Sequence, residues 1–164
     1  MLSRQEIEQH LKNPNVRKML GVIASAEGVK HGYNTMFGNE RLSDLSKHPG
    51  ILKEFTQTDG KKNKTSAAGR YQFLEPTWNG LAKQLGLKDF SPKSQDIAAV
   101  ALLAQNGALP HVLKGDIPTA VKKSGGTWAS LPSAPDSYKQ PKKTWSDIGM
   151  SGSTFDRVKG KREA

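Results

Sequence analysis

The sequence contains no cysteine, and that absence excludes disulfide bridges, cysteine-based zinc sites and thiol redox chemistry. Folding therefore does not require an oxidising compartment. No apolar run is long enough to span a bilayer, and residues 1–18 lack the continuous apolar segment of a secretory signal. We therefore expect neither a membrane-inserted segment nor a Sec-type signal.

Motifs that bind metals or phosphates are also absent. The histidines, which are His10, His31, His48 and His111, show no HExxH or comparable ligand spacing, so a zinc amidase is not expected. Residues 59–65, DGKKNKT, lack the glycine spacing and the GK[ST] ending of a P-loop. The sequence therefore implies no metal and no cofactor.

Basic residues dominate the charge, since 25 Lys and Arg against 15 Asp and Glu give a net charge of +10. Such a chain concentrates near polyanions, which include nucleic acid and the bacterial envelope, although solvated loops would show the same lysine clusters. No predicted helix carries Lys and Arg along one recognition face, so we do not expect nucleic-acid binding. The length of 164 residues suits one domain, with a loose basic tail at about 150–164.

An amphipathic helix is predicted near the start of the chain. The helical pattern i, i+3, i+4, i+7, i+8 is filled by apolar residues, which are Val16, Met19, Leu20, Ile23 and Ala24. Glu27 is the next position on this stripe, and Gly28 is a typical C-terminal stop. The carboxyl group of Glu27 is therefore expected in the last turn of a helix with one buried face.

Two further helices are predicted to carry proline in their first turn. One contains Pro76 and ends at Gly86, and its buried face would consist of Trp78, Leu81, Ala82 and Leu85. The other is capped by Ser91, starts at Pro92 and stops near Gly107. This last helix is expected to be the most buried of all.

The rest of the chain is predicted to form short elements and loops. Shorter helices are expected at 110–114 and, with Asp116 as the cap, up to residue 124. Glycines, asparagines and aromatics at 31–39 favour a small β-element. The polar segment 56–64 is expected to be an exposed, mobile loop, and three prolines predict a second irregular loop at 131–141.

A carboxyl group in the position of Glu27 is suited to proton transfer. Burial disfavours the ionised form, as does the negative end of the helix dipole, so both are expected to raise the pKa. A carboxyl group that stays protonated near neutral pH is what a general acid for glycosidic cleavage requires. The alternative is that Glu27 only ends the helix and pairs with Arg70 or with a lysine.

Four motifs follow one another after the first helix and extend to Pro132. They are SAAGRYQ at 66–72, KQLGLKDFSPKSQD at 83–96, GALP at 107–110 and WASLP at 128–132. In this order they resemble the lambda-type phage endolysins. That family shows a helix ending in Ser-Glu-Gly before HGY, whereas this chain has AEG at 26–28 and HGY at 31–33. Ala26 departs from the family pattern, but the glutamate is kept.

The resemblance implies a lysozyme-like α+β fold, mainly helical with a small β-sheet lobe, and an active-site cleft between the lobes. The segments 56–64 and 131–141 would be the flexible lips of that cleft. It also implies lytic transglycosylase activity on the glycan strands of bacterial peptidoglycan, with Glu27 as the catalytic acid. A family member would be made in the host cytoplasm, reach the periplasm through a holin lesion, and act there as a monomer.

In such a mechanism Glu27 would protonate the oxygen between N-acetylmuramic acid and N-acetylglucosamine, and would then deprotonate the muramic C6 hydroxyl. The product would be a 1,6-anhydro end. A hydrolysing muramidase would instead pair the acid with a second carboxylate, for which Glu40, Asp44 and Asp59 are candidates, although Asp44 equally suits the first turn of a helix. A non-catalytic wall-binding virion protein is a further alternative, against which the presence of Glu27 argues.

Four residues are expected to bind the sugar chain, namely Ser66, Tyr71, Gln72 and Tyr138. An amide at Gln72 and a ring at Tyr71 could bind acetamido and hydroxyl groups, while Ser66 could instead simply end the first lip. Tyr138 could stack on a sugar face or pack within its loop. Trp78 and Trp128 are expected in the core.

Overall fold

Helices form most of the chain in the computed structural model, which describes residues 2–150. The α-helices are α1 (Arg4–His10), α2 (Pro14–Glu27), α3 (Glu75–Leu85), α4 (Pro92–Gln105), α5 (Leu109–Leu113) and α6 (Ile117–Ser124). The strands are β1 (Thr35–Met36), β2 (Glu40–Arg41), β3 (Lys53–Thr56) and β4 (Lys62–Thr65). The predicted α+β class is thereby confirmed. The tail expected at 150–164 lies, except for its first residue, outside the described residues.

Local signals set the ends of α2, as the sequence predicted. Asn13 caps the helix by accepting a hydrogen bond from the backbone of Asn15, and Pro14 occupies the first turn. At the other end Gly28 adopts φ 69°, a left-handed conformation that favours glycine. Its N–H donates to the carbonyl oxygens of Ala24 and Ser25, and the helix stops directly after Glu27.

The other predicted helices are confirmed within one or two residues. The helix α3 ends at Gly86, and α4 begins at the Ser91 cap and contributes more buried residues to the core than any other described helix. Short α5 and α6 follow, with Asp116 capping α6 through the backbone of Thr119. No helix within residues 2–150 has the length and apolar character needed to cross a membrane.

The helix α1 was missed by the sequence analysis, although a capping box marks its start. The Ser3 hydroxyl accepts from the backbone of Glu6, and the Glu6 carboxylate accepts from the backbone of Ser3. Ile7 is fully buried and belongs to the main core cluster. Because α1 has this one buried side chain, its apolar residues form no periodic pattern from which the helix could be predicted.

Two antiparallel hairpins form the β-part, and the second corrects the prediction of a loop at 56–64. The register of β3 and β4 runs from Lys53 opposite Thr65 to Thr56 opposite Lys62, which leaves only 57–61 as a turn. The strand β4 reads KNKT, a sequence with little intrinsic β-preference. Backbone pairing and contact of the Phe55 ring with Phe37, at 5.6 Å between centroids, support the hairpin instead.

Segment 131–141 is largely irregular, as the three prolines predicted, and contains only a short 3-10 turn at Asp136–Tyr138. Its start is tied to the core, because Trp128 and Leu131 are buried. The indole N–H of Trp128 donates to the carbonyl oxygen of Tyr71 at 3.0 Å. The segment is therefore fixed at its start. Trp78 and Trp128 are both buried, which confirms their expected positions in the core.

Candidate active site

Glu27 lines a cleft between the hairpins and the segment that follows α6. A cavity of about 400 Å³ lies on one side of it, and a smaller one of about 260 Å³ on the other. The two cavities share Glu27, Phe37 and Gln72. The remaining residues of the larger cavity are Thr65, Ala67, Leu74, Gly126, Thr127, Trp128, Ala129, Tyr138 and Gln140. Glu27 therefore stands where the two halves of the cleft meet.

Desolvation is the main influence on the carboxyl group of Glu27 and raises its pKa from 4.5 to about 7. A hydrogen bond from Ser130 and the positive charge of Lys143 act more weakly in the opposite direction. Part of the residue remains accessible to solvent. The group can therefore hold a proton near neutral pH and still reach a molecule bound in the cleft.

Gln72 reaches the cleft from a strained turn. Its backbone has φ 52°, and its side-chain amide donates to the carbonyl oxygens of Gly69 and Thr35. The fully buried side chain of Gln95 fixes this turn, because its amide oxygen accepts from the backbone N–H of Arg70 at 2.9 Å. The amide oxygen of Gln72 has no hydrogen-bond partner among residues 2–150, so it is available to a donor on a ligand.

Two of the residues expected to bind sugar do not line the cleft. Tyr71 is fully buried, and its hydroxyl donates to Asp96 at 2.6 Å, so its ring belongs to the core. Ser66 is also buried, and its hydroxyl accepts from the backbone of Glu75 at the start of α3. The structure therefore does not support the sugar-binding roles predicted for Tyr71 and Ser66. The sequence could not show that the motif alternates between inward and cleft-facing residues.

Tyr138 does lie at the cleft, on its exposed rim. Its hydroxyl donates to the carbonyl oxygen of Gly126 at 2.9 Å, which leaves the ring as part of the cavity wall. The neighbouring carbonyl oxygen of Lys139 accepts from the backbone N–H of Thr58 in the β3–β4 turn at 2.8 Å. The two segments expected to be the lips of the cleft therefore touch each other.

The other candidate partners of Glu27 lie elsewhere. Glu40 pairs with Lys53 at 2.6 Å, Asp59 accepts from the backbone of Lys61, and Asp44 accepts from Ser46 in a turn rather than in a helix. Arg70, proposed as an ion-pair partner, bonds to the Tyr71 hydroxyl instead. Among the described residues that line the two cavities, Glu27 is the one acid.

Three residues near Glu27 were not found by sequence reasoning, namely Phe37, Ser130 and Lys143. Phe37 gave a weak signal, as an aromatic residue within a Gly-rich turn, whereas Ser130 and Lys143 come close only through folding. Within residues 2–150, no three His, Asp or Glu side chains are arranged to hold a metal ion. In the part of the chain that the structure describes, the site combines one carboxyl group with a polar and aromatic wall.

Comparison with known proteins points to one family. The profile of the Endolysin family matches residues 17–155. The chain is 43% identical to the endolysin of Escherichia phage lambda over 129 residues, which covers 73% of this chain and 79% of that protein. It is 34% identical to the endolysin of Escherichia phage P2 over 133 residues, covering 73% and 81% respectively.

Solved structures give the same result. The lysozyme of bacteriophage lambda in complex with a chitohexasaccharide matches with a TM-score of 0.70 and 39% identity, covering 91% of this chain and 97% of that one. A second structure of lysozyme from bacteriophage lambda matches with a TM-score of 0.69 and 34% identity, covering 92% and 97%. The predicted lysozyme-like architecture is thereby confirmed.

Proposed function

The chain belongs to the Endolysin family, and from that premise we propose that it cuts the β-1,4 bond between N-acetylmuramic acid and N-acetylglucosamine as a lytic transglycosylase. As a family member it is a lysozyme-like enzyme that breaks glycosidic bonds in cell-wall lysis. The position of Glu27 carries the proposal. It combines a pKa of about 7 with access to both halves of the cleft.

Glu27 acts first as an acid in this mechanism. Its proton passes to the glycosidic oxygen, the bond from that oxygen to C1 of the muramic residue breaks, and an oxocarbenium-like centre develops at C1. Glu27 is then a carboxylate and takes the proton of the C6 hydroxyl, whose oxygen bonds to C1 of the same sugar. The residue ends protonated again, and the product carries a 1,6-anhydro bridge.

The surroundings of Glu27 support the use of one carboxyl group for both steps. No second acid lines the cavities within the described residues, so a water-activating or nucleophilic carboxylate of the kind a muramidase uses has no candidate there. Gln72 and Tyr138 are proposed to bind the glycan, through the free amide oxygen and the exposed ring. The lambda lysozyme complex, which contains a chitohexasaccharide, supports a glycan in this cleft.

The cellular setting is proposed from family membership. The enzyme would be synthesised in the cytoplasm of the infected bacterium and would reach the peptidoglycan after a holin has opened the membrane. It would act on the wall as a monomer. The net charge of +10 would favour its concentration on the anionic envelope.

Digestion of purified peptidoglycan tests the proposal, with mass spectrometry of the sugar ends of the released fragments. The parent and a Glu40→Gln control, which alters a carboxylate outside the cleft, are expected to release anhydromuramic ends. Glu27→Gln should release none and should still bind the wall. Reducing muramic ends would show hydrolysis and refute the transglycosylase, and wall binding without fragments from the parent would indicate a non-catalytic binding protein.

A further inference from the structure

Residues 126–143 hold the last turn of α2 at two adjacent positions. The Ser130 hydroxyl donates to Oε2 of Glu27 at 2.5 Å, and the Lys143 ammonium donates to the carbonyl oxygen of Ala26 at 3.0 Å. The backbone N–H of Lys143 donates to the carbonyl oxygen of Ser130 at 2.7 Å, which joins the two anchors. The four residues form a closed ring of contacts around the carboxyl group.

We propose that Ser130 and Lys143 are positioning residues that keep the carboxyl group of Glu27 in one orientation through both of its proton transfers. The inference rests on the proposed function, because only a group that donates and then accepts at nearby atoms needs the same orientation twice. Misplacement of a reacting group by about 1 Å can cost on the order of 100-fold in rate. A fixed orientation of the carboxyl group is therefore expected to increase the rate of both proton transfers.

The contacts assign different tasks to the two oxygens of Glu27. Oε2 accepts from Ser130, whereas Oε1 has no hydrogen-bond partner among residues 2–150. In the protonated state Oε1 can carry the proton while Oε2 remains an acceptor. After the proton has left, the carboxylate accepts the same bond from Ser130. The hydroxyl therefore suits both protonation states, and Oε1 is the oxygen that exchanges protons with the sugar.

Charge near Glu27 comes from one side. From the hairpin side the smaller cavity is lined by Val29, Phe37, Gly38, Asn39 and Gln72, none of which is charged. From the segment after α6, the charge that acts on Glu27 is that of Lys143. Because the ammonium is held at the carbonyl of Ala26, the cation stays next to the carboxylate that forms after the first proton transfer.

Lys142 provides a matched comparison in the same segment. Its ammonium donates to the carbonyl oxygen of Ala134 and pairs with Asp136 at 2.8 Å, away from α2. Replacing Lys142 or Lys143 by methionine therefore removes the same charge and side-chain chemistry from adjacent positions. Only the change at Lys143 affects the ring of contacts around Glu27.

The test combines kinetics with a direct titration of Glu27. The variants are Ser130→Ala, Ser130→Thr, Lys143→Met, Lys143→Arg and Lys142→Met. For each, kcat on soluble peptidoglycan fragments is measured against pH, and the ¹³C carboxyl resonance of Glu27 is followed in the free protein. The resonance reports the pKa whether or not the variant is active, and thermal unfolding verifies that each variant is folded.

Ser130→Ala is expected to lower kcat about 10- to 100-fold and to raise the pKa of Glu27, because a donor to the carboxylate is lost. Lys143→Met should have a smaller effect in the same direction. Ser130→Thr and Lys143→Arg should restore most of the parental behaviour, and Lys142→Met should match the parent. Because Ser130→Ala and Lys143→Met raise the pKa of Glu27, each should move the alkaline limit of activity to higher pH.

Parental kcat and Glu27 pKa in Ser130→Ala and Lys143→Met would overturn the inference, as would an equal loss in Lys142→Met. Failure of the proposed function has a different signature, since the parent itself would then release reducing muramic ends or no glycan fragments. In that case the ¹³C titration still decides whether the two residues act on the carboxyl group of Glu27. A raised pKa in the two variants would support that contact, and unchanged values would refute it.

Discussion

Asp96 in α4 and Glu27 in α2 are both carboxyl groups removed from bulk water, yet their surroundings differ. Asp96 is 5% exposed and accepts hydrogen bonds from Arg17 at 2.8 Å, from Tyr71 at 2.6 Å and from Tyr33 at 2.9 Å. From residues 2–150, Glu27 accepts one hydrogen bond, which Ser130 donates. One group has a cation and two hydroxyls as donors, and the other has a single hydroxyl.

The number of donors separates a structural carboxyl group from a chemically useful one. Burial of a charge is costly unless charged and hydrogen-bonding partners compensate for it, and around Asp96 they do. Around Glu27 the compensation is incomplete, so desolvation determines its pKa. We infer that the network of Asp96 stabilises the fold, whereas the poorly satisfied Glu27 retains a proton that can be used in chemistry.

The largest effect that tests this contrast is expected for Asp96→Asn. Removing the charge leaves Arg17 without its ion-pair partner and disturbs two hydroxyl donors, so the free energy of unfolding should fall by about 3–4 kcal/mol. Because Arg17 is half exposed, we expect the lower part of the range for breaking a buried pair. Urea unfolding measures the loss, and the folded variant should still cleave peptidoglycan at low temperature.

Asp136→Asn is the matched control, since Asp136 forms an ion pair with Lys142 at the surface, where its side chain is 92% exposed. Because both charges of this pair are exposed to solvent, its loss should leave the free energy of unfolding close to that of the parent. Equal effects of the two substitutions would contradict the structural role assigned to Asp96. A loss of activity without loss of stability in Asp96→Asn would place it in the chemistry instead.

Glu27→Gln should raise the free energy of unfolding, in contrast to Asp96→Asn, because the site is unfavourable for a carboxylate. The folded pKa of about 7 lies above the ordinary value of 4.5, so the folded state binds more protons between these values and the parent loses stability as pH rises through them. The loss is about 3 kcal/mol, since one pKa unit is worth about 1.4 kcal/mol. The free energy of unfolding of Glu27→Gln, relative to that of the parent, should therefore rise by this amount between pH 4 and 8.

Chemical unfolding at a series of pH values measures this gain, which should develop between pH 4.5 and 7 and then level off. Glu40→Gln is the control, because it alters an exposed carboxylate that pairs with Lys53 at the surface. A stability difference between Glu27→Gln and the parent that does not vary with pH would show that Glu27 titrates normally. It would remove the main argument for Glu27 as the acid.

The sequence was sufficient to predict the position of Glu27, because that prediction needed only local signals. The apolar stripe of α2 defines its buried face, and Gly28 ends the helix directly after the carboxyl group. Caps at Ser91 and Asp116 located α4 and α6 for the same reason. The family resemblance added the lysozyme-like architecture and the position of the cleft.

What surrounds Glu27 could not be predicted, because the partners are distant along the chain. Ser130 lies 103 positions away, and the bond from Lys143 to Ala26 spans 117 positions. The burial of Tyr71 and Ser66 could not be predicted for a related reason, since burial of a motif residue depends on which elements pack over it. The polar composition of KNKT also led to the wrong prediction of a loop, whereas backbone pairing with β3 makes this segment the strand β4.

The smallest effect that sharpens the comparison is expected for Tyr33→Phe, which removes one donor from Asp96 and keeps the ring. Two donors remain, so the free energy of unfolding should fall by about 1 kcal/mol, the value of a typical hydrogen bond. Tyr138→Phe is the control, because its hydroxyl bond to Gly126 lies at an exposed site and should contribute less. Urea unfolding compares the two. If Tyr33→Phe lowered the free energy of unfolding as much as Asp96→Asn, the hydrogen bonds of Asp96 would act as one unit. The number of donors would then not explain why Asp96 and Glu27 differ in role.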